Sequence, residues 1–425
     1  MENRKVKEKL WSLLEESKDE LLELCSQLIQ RPSLNPPIQA DAITEYIAQY
    51  FDENKIPYQV LYNKPNMPIF VAEVGKDGGK TLCINGHTDV VSPGELSHWH
   101  FDPHCGTITD TQVLGRGASD MLCGVAIGMH VAKLIVKHQL PLKGKLVLHL
   151  VSDEESGGEF CSKWLVENGW ADGIDAVMLP EPTTYNNVEC GSKGSVGMIL
   201  RSYGTQAHGS VCSFVGDNAI SKMIRILSHV EDLRQMKAVY ADHQKPVVEN
   251  AKKVAEAILK VKGVGEAIDH VTCNVSYMRT GDGQKAASSE YCEARVGYGV
   301  PVGVRAADVK EAFEQLLRDL DIHGVEIEYT RIKEPTFTPA SEEIVQIALE
   351  NANYIWQKEV LPVYQWATSD GKYYRYAGIP AIQYGPANID GVHGYDECAD
   401  IEDILNCAKT YLGVITDFIG FEDME

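Results

Sequence analysis

His87 and Asp89 stand two residues apart in LCINGHTDVV (Leu82 to Val91), where an apolar run ends. A buried strand has no use for ionisable side chains unless they are paired or hold a metal. Residues two apart in an extended segment point the same way, so the spacing predicts that the Asp89 carboxylate orients the His87 imidazole from behind. Four further polar clusters sit at the ends of apolar elements. Asp120 lies in GRGASDMLCG at a loop-to-helix junction. Asp153, Glu154 and Glu155 follow the apolar strand KLVLHLV. Glu181 is held between two prolines in MLPEPTT, and His393 lies in GVHGYDECAD. Singly, each has a plain structural explanation: a strand-end histidine, a helix-start aspartate, a solvated acidic loop. Together they gather near the C-terminal ends of strands, the edge at which open parallel sheets bind ligands. Two histidines with three or four carboxylates match a nitrogen–oxygen site for zinc, cobalt or manganese. Two ions sharing one carboxylate would use five ligands without excess. Glu154 and Glu155 point in different directions, so one can ligate while the other stays free as a general base.

The elements that must position these groups alternate between helix and strand. Leu10 to Ile29 reads as a helix stopped by RPSLNPP, and Asp41 to Phe51 as a second. Strand-like runs YQVLY, PIFVAEV and TLCING follow, then an apolar helix from Ser119 to Val136, the strand Lys145 to Val151, a helix from Phe160 to Glu167 and a strand from Ala176 to Leu179. After Gly194 the order becomes β-α-β-β-α-β, the signature of a ferredoxin-like sandwich, with a polar insert between Lys237 and Gly265. From Ser341 the α/β pattern resumes. The simplest layout is an α/β domain with a mixed sheet, residues 1–193 and 334–425, interrupted by an inserted α+β domain, residues 194–333; an unbroken two-domain chain is the competing layout.

The formal net charge of −22 over 425 residues argues against nucleic acid or an anionic membrane as a partner and suits a small substrate with divalent cations. Eleven scattered cysteines, with no C-x-x-C, indicate a reducing compartment. The N-terminal stretch has charges throughout and no apolar signal segment, and no stretch reads as a membrane span. The expected location is the cytoplasm.

GHTDVV, WHFDPHCGTI, GRGASDM, DEESGG, PEP, GSKG, AHGS, ATSDGKYY and HGYDE occur in this order along nearly the whole chain. With these motifs the chain resembles the M20-type metallopeptidase and deacylase family, which includes acetylornithine deacetylase, succinyl-diaminopimelate desuccinylase, aminoacylase-1 and glutamate carboxypeptidase. The resemblance implies a zinc-peptidase type catalytic domain with a ferredoxin-like lid that forms a homodimer. It implies two divalent ions, zinc first, with cobalt or manganese possible. His87, Asp120 and Glu181 would hold one ion; Asp120, Glu155 and His393 would hold the other. By the same resemblance Asp89 is the partner of His87, Glu154 the general base, and His208, in AHGS, an oxyanion donor reaching the site of the partner subunit. The implied reaction is hydrolysis of the amide bond of a small N-acylated amine or amino acid.

The chain departs from that family in places. Leu122-Cys123 stands where Lys-Gly is usual, and Gly297 and Gly299 occupy both positions of the usual Asp-x-Arg. A glycine does not replace a bidentate arginine clamp on a carboxylate. Lys193 and Lys372 remain as point charges. QKAASSEYC replaces another usual segment. These changes leave room for two other substrates: a small amide without an α-carboxylate, such as a formylaminopyrimidine, or a dipeptide.

Overall fold

The computed structural model describes residues 2–184, 186–281, 287–386 and 388–422; part of QKAASSEYC lies outside them. The strands, in chain order, are β1 (Tyr58–Tyr62), β2 (Pro68–Gly75), β3 (Thr81–His87), β4 (Gln112–Leu114), β5 (Lys145–Val151), β6 (Ala176–Pro182), β7 (Asn187–Ser192), β8 (Gly194–Tyr203), β9 (Thr272–Thr280), β10 (Tyr291–Val300), β11 (Val325–Lys333), β12 (Thr336–Phe337), β13 (Leu361–Gln365), β14 (Ala381–Gly385) and β15 (Cys398–Asp400). The chain divides into two compact units. One comprises Met1–Gly191, Thr338–Val363 and Ser369–Glu425; the other comprises Ser192–Phe337 and Tyr364–Thr368.

The first unit is built on a mixed sheet in the order β1-β2-β5-β3-β6-β14-β7. β3 lies parallel to both β5 and β6, and β14 is parallel to β6. β1, β2 and β5 are joined antiparallel, as are β14 and β7. After its first residue β3 is buried throughout, as a central parallel strand covered on both faces must be. His87 pairs with Val151 in register, so β3 and β5 end together and deliver His87 and the Asp153–Glu155 segment to one edge. Glu181 lies near the C-terminal end of β6, on the same edge.

The helix expected from Ser119 begins later, at Cys123, and runs to Lys137. Residues 118–122 form an irregular turn in which Asp120 (φ −125°, ψ 92°) is not helical and the Asp120–Met121 peptide is cis. Ala118–Lys137 is long and apolar enough to cross a membrane, contrary to the reading of the sequence, but 89% of its apolar 18-residue window is buried inside the fold. It packs on the sheet so closely that a Cβ at Gly124 would lie 2.4 Å from the Pro180 carbonyl, beside Glu181. The single N-terminal helix expected is two, Glu2–Glu16 and Lys18–Ile29. They part at Ser17, whose hydroxyl donates to the Leu13 carbonyl and lies 3.0 Å from His130 Nε2.

The second unit is a four-stranded antiparallel sheet in the order β11-β8-β10-β9. With the helices Ala219–Leu227 and Ala306–Asp319 it follows the β-α-β-β-α-β order. β8 alternates buried and half-buried residues, and Val196, Met198 and Leu200 pack with Met223, Ile226 and Phe313. The insert adds the helix Lys245–Leu259.

Candidate metal centre

Two groups of three ligand-type side chains form in the first unit. His87, Asp120 and Glu181 are one; Asp120, Glu155 and His393 are the other, and within each the candidate atoms all lie within 4.8 Å of one another. Asp120 is common to both. Its Oδ1 lies 3.0 Å from His87 Nε2 and its Oδ2 3.3 Å from His393 Nε2. Glu181 Oε2 is 3.8 Å from His87 Nε2, and Glu155 Oε1 is 3.1 Å from His393 Nε2. His393 stands in a left-handed turn, φ +57°, with its side chain half exposed; the other four are largely buried.

Asp89 does not hold the imidazole as the spacing predicted. His87 Nδ1 donates to the Asp89 backbone carbonyl at 2.8 Å, while the nearer carboxylate oxygen is 3.6 Å away. β3 ends at His87, so the two-residue alternation stops where the argument needed it. With Nδ1–H spent on a carbonyl, Nε2 is the nitrogen free to ligate. The Asp89 carboxylate serves the next loop instead. It accepts from the backbone N–H groups of Glu154 (3.2 Å) and Glu155 (3.1 Å) and from Asn35 Nδ2 (2.8 Å). Asn35 also donates to Ser156 Oγ at 3.0 Å. RPSLNPP, read in the sequence as a helix stop, therefore braces the acidic turn; nothing in local pattern signalled this.

The electrostatics reflect many acids buried together. Burial, then the neighbouring Glu181 and Asp370, push the Glu154 carboxyl well above its ordinary value. Burial raises Glu181 to about 8, against the pull of His87. Burial lifts Asp89 to about 7, with His87 and Asn35 opposing it. Burial works against ionisation of Asp120 too, yet hydrogen bonds from His393 and His87 hold its carboxyl below the usual range. Hydrogen bonds to Asp120 and Glu155 raise His393 to about 10. Burial acts against the His87 imidazolium, but Asp120 and Glu181 outweigh it and the group ends well above its ordinary value.

The donor set fits divalent ions of borderline to hard character: imidazole and carboxylate, with no thiolate in either group. Glu154 belongs to neither group and keeps its carboxyl beside them. His208 lies in the second unit, exposed, its Nδ1 accepting from the Ser210 N–H at 3.2 Å. Lys193, read as an available point charge, is engaged: its Nζ donates to the carbonyls of Ala267 (2.7 Å) and His270 (2.9 Å) and to Thr272 Oγ1 (3.3 Å). Lys372 Nζ, buried in the first unit, donates to the Ser369 carbonyl at 3.1 Å and lies 3.7 Å from Asp370 Oδ1.

Residues 83–417 match the profile of Peptidase family M20/M25/M40. The chain belongs to this family. Among M20 relatives it is 26% identical over 367 residues to a probable succinyl-diaminopimelate desuccinylase of Staphylococcus aureus, covering 84% of this chain and 87% of that one. It is 30% identical over 222 residues to a succinyl-diaminopimelate desuccinylase of a Wolbachia endosymbiont of Brugia malayi, half of this chain and 54% of that one. Its fold matches an M20 family metallo-carboxypeptidase from Sulfolobus solfataricus with a TM-score of 0.79 at 19% identity, over 93% of this chain and 98% of that one. The M20 fold, with its mixed-sheet α/β unit, is thus the fold of this chain. M20 members are hydrolases with dinuclear metal centres, and this chain is a metal-binding hydrolase.

Proposed function

We propose that this hydrolase cleaves the amide bond of a small N-acylated amino acid, using two divalent ions, zinc first, with cobalt or manganese also suited to the donors. One observation carries the reading: two ligand groups share Asp120 while a further carboxyl, Glu154, stands beside them with no ligand role. His87, Asp120 and Glu181 would hold one ion, and Asp120, Glu155 and His393 the other. When bound, the ions polarise the amide carbonyl and acidify the attacking water. Glu154 takes a proton from that water as its oxygen bonds to the carbonyl carbon. The same carboxyl then delivers the proton to the amide nitrogen as the C–N bond breaks, leaving a carboxylic acid and an amine. Asp89 contributes by fixing the backbone of the turn that carries Glu154 and Glu155. On this reading the chain works as a homodimer through its inserted unit, with His208 as the oxyanion donor to the partner subunit's site. All eleven cysteines are free, which supports the cytoplasm as the location.

The names of the relatives support an N-acyl amino acid as substrate. A second reading, a small amide lacking an α-carboxylate, draws support from Gly299. A Cβ there would lie 2.6 Å from Thr272 Oγ1, so a larger residue at the position of the usual arginine would have to displace the Thr272 side chain, and the adjacent Lys193 is spent on carbonyls. The test is a hydrolysis screen of the metal-loaded protein. It compares N-acetyl, N-succinyl and N-formyl amino acids, dipeptides, and N-formyl amines without a carboxylate. Preference for N-acyl amino acids supports the first reading. Preference for the carboxylate-free amides selects the second. Turnover undiminished after complete metal removal refutes both.

A further inference from the structure

Between the turn of Asp120 and the loop of His393 lies a buried ion pair without a part in the chemistry above. Arg116 is 2% exposed and Glu397 is fully buried, and Arg116 Nη1 donates to Glu397 Oε2. Three further side-chain bonds of the pair go to the backbone of the two ligand-bearing loops. Glu397 Oε1 accepts from the N–H groups of Ser119 and of Asp120, each at 3.0 Å. Arg116 Nη2 donates to the carbonyl of Gly394, the residue after His393, at 2.7 Å. The Gly115 N–H closes the link from the other side, donating to the Glu397 carbonyl at 2.9 Å.

We infer that Arg116 and Glu397 are positioning residues that set the separation of Asp120 and His393, and with it the ability of the second ligand group to hold an ion. The inference rests on the two-ion reading proposed above. Its physical basis is a difference in how the ligands are anchored. His87 and Glu181 belong to β3 and β6, whose ladders fix their backbones. Asp120 has non-helical dihedrals inside its turn, and His393 stands in a left-handed turn outside any strand. Neither has a ladder, and the ion pair supplies what the ladder supplies elsewhere. A buried ion pair is weak evidence of stability, because desolvation offsets its attraction. A pair that also bonds the backbone of both ligand loops, through Arg116 Nη2 and Glu397 Oε1, instead fixes geometry, and partners of this outer kind are worth about 10–100-fold in metal affinity.

The experiment uses the full chain, stripped with chelator and titrated with Co²⁺, read by calorimetry and by the visible absorption of the bound ion. Arg116→Lys keeps a charge facing Glu397 but loses the rigid fork whose two nitrogens reach Glu397 and the Gly394 carbonyl separately. It should bind the first ion within about threefold of the wild type and the second about 10–100-fold more weakly. Its second-step spectrum should move toward that of His393→Ala, which removes a ligand of that group. Glu397→Gln, which keeps an acceptor for the Asp120 N–H and loses the ion pair, should show the same selectivity and serves if Arg116→Lys does not fold. Two undisturbed steps in a folded variant overturn the inference and leave the two-ion reading standing, as does equal weakening of both steps. A wild-type chain that takes up only one ion overturns the two-ion reading, and the inference with it.

Discussion

Loading the metal-free chain with divalent ions at pH 7 should expel about three protons from the ligands, because ions coordinate only deprotonated ligands, and more from Glu154 and Asp89, whose carboxyls burial also raises. Three of the five candidate ligands hold a proton there. Glu181, raised to about 8 by burial, is about 90% protonated at pH 7. His393, at about 10 through its bonds to Asp120 and Glu155, is imidazolium. Burial opposes the charge on His87, but Asp120 and Glu181 overcome it and hold that imidazole protonated as well. Asp120 is already ionised. The sign follows: raising the pH removes a competitor before the ion arrives. Between pH 7 and 9 the share from Glu181 falls from about 0.9 to about 0.1 proton, so release from the ligands declines toward two while affinity rises. Calorimetric titration with Zn²⁺ in buffers of different ionisation enthalpy measures the count, as the slope of heat against buffer enthalpy. Glu154→Gln is the control, since a carboxyl that must ionise to act as a base adds its own proton and the variant lacks it. No release at pH 7, or release that grows from pH 7 to 9, would refute the reasoning.

Glu154→Gln should also keep both ions, by elemental analysis, while kcat falls about 10²–10⁴-fold or more, because the amide can neither take nor return the proton. Asn35→Ala removes a donor to Asp89 and Ser156; steady-state kinetics should show kcat down by up to about 10²-fold, the cost of displacing a catalytic group by about 1 Å, with ion content unchanged. Burial holds His149 down to about 4 against an unfolded value near 6.5, so the folded state resists protonation. Its contribution is intact above pH 6.5 and is lost as pH falls toward 4, about 2 kcal/mol by pH 5. Urea unfolding of wild type and His149→Gln should therefore differ in acid slope by that amount; parallel slopes would show that His149 titrates normally in the fold.

The element order of both units was legible because it depends on local pattern: unbroken apolar runs for β3, β5 and β6, alternation in β8, and amphipathic periodicity in Ala306–Asp319. The five candidate ligands were legible for a related reason. Each is an ionisable residue at or just beyond an apolar element, where a core would not place it without use. Bonds between segments far apart in the chain were not legible. Arg116 and Glu397 were visible only as letters in two motifs, and Asn35 only as part of a helix stop. Ser17 interrupts the first helix through a contact with His130 that no periodicity encodes. The Asp89 carboxylate, expected behind His87, meets the Glu154 and Glu155 N–H groups and Asn35, since alternation gives the face of a side chain and not the atom it meets.

Charge balance favours two ions over one. Asp89, Asp120, Glu154, Glu155 and Glu181 bring five negative charges when ionised, and His87 and His393 are neutral as ligands. Asp370 nearby is offset by Lys372, 3.7 Å away. Without ions this edge can relieve its charge only by binding protons, which is what the raised carboxyls of Glu154, Glu181 and Asp89 express. One divalent ion leaves three negative charges among groups that are mostly buried, and each such charge is costly away from water. Two ions leave one. The carboxylates outside both ligand groups are Asp89, which accepts from the Glu154 and Glu155 N–H groups and from Asn35, and Glu154, and a carboxylate left ionised beside acidified water is placed to receive a proton. The excess of acids over histidines, visible in the sequence as a cluster with no structural use, is thus the quantity that relates the number of ions to the presence of a base.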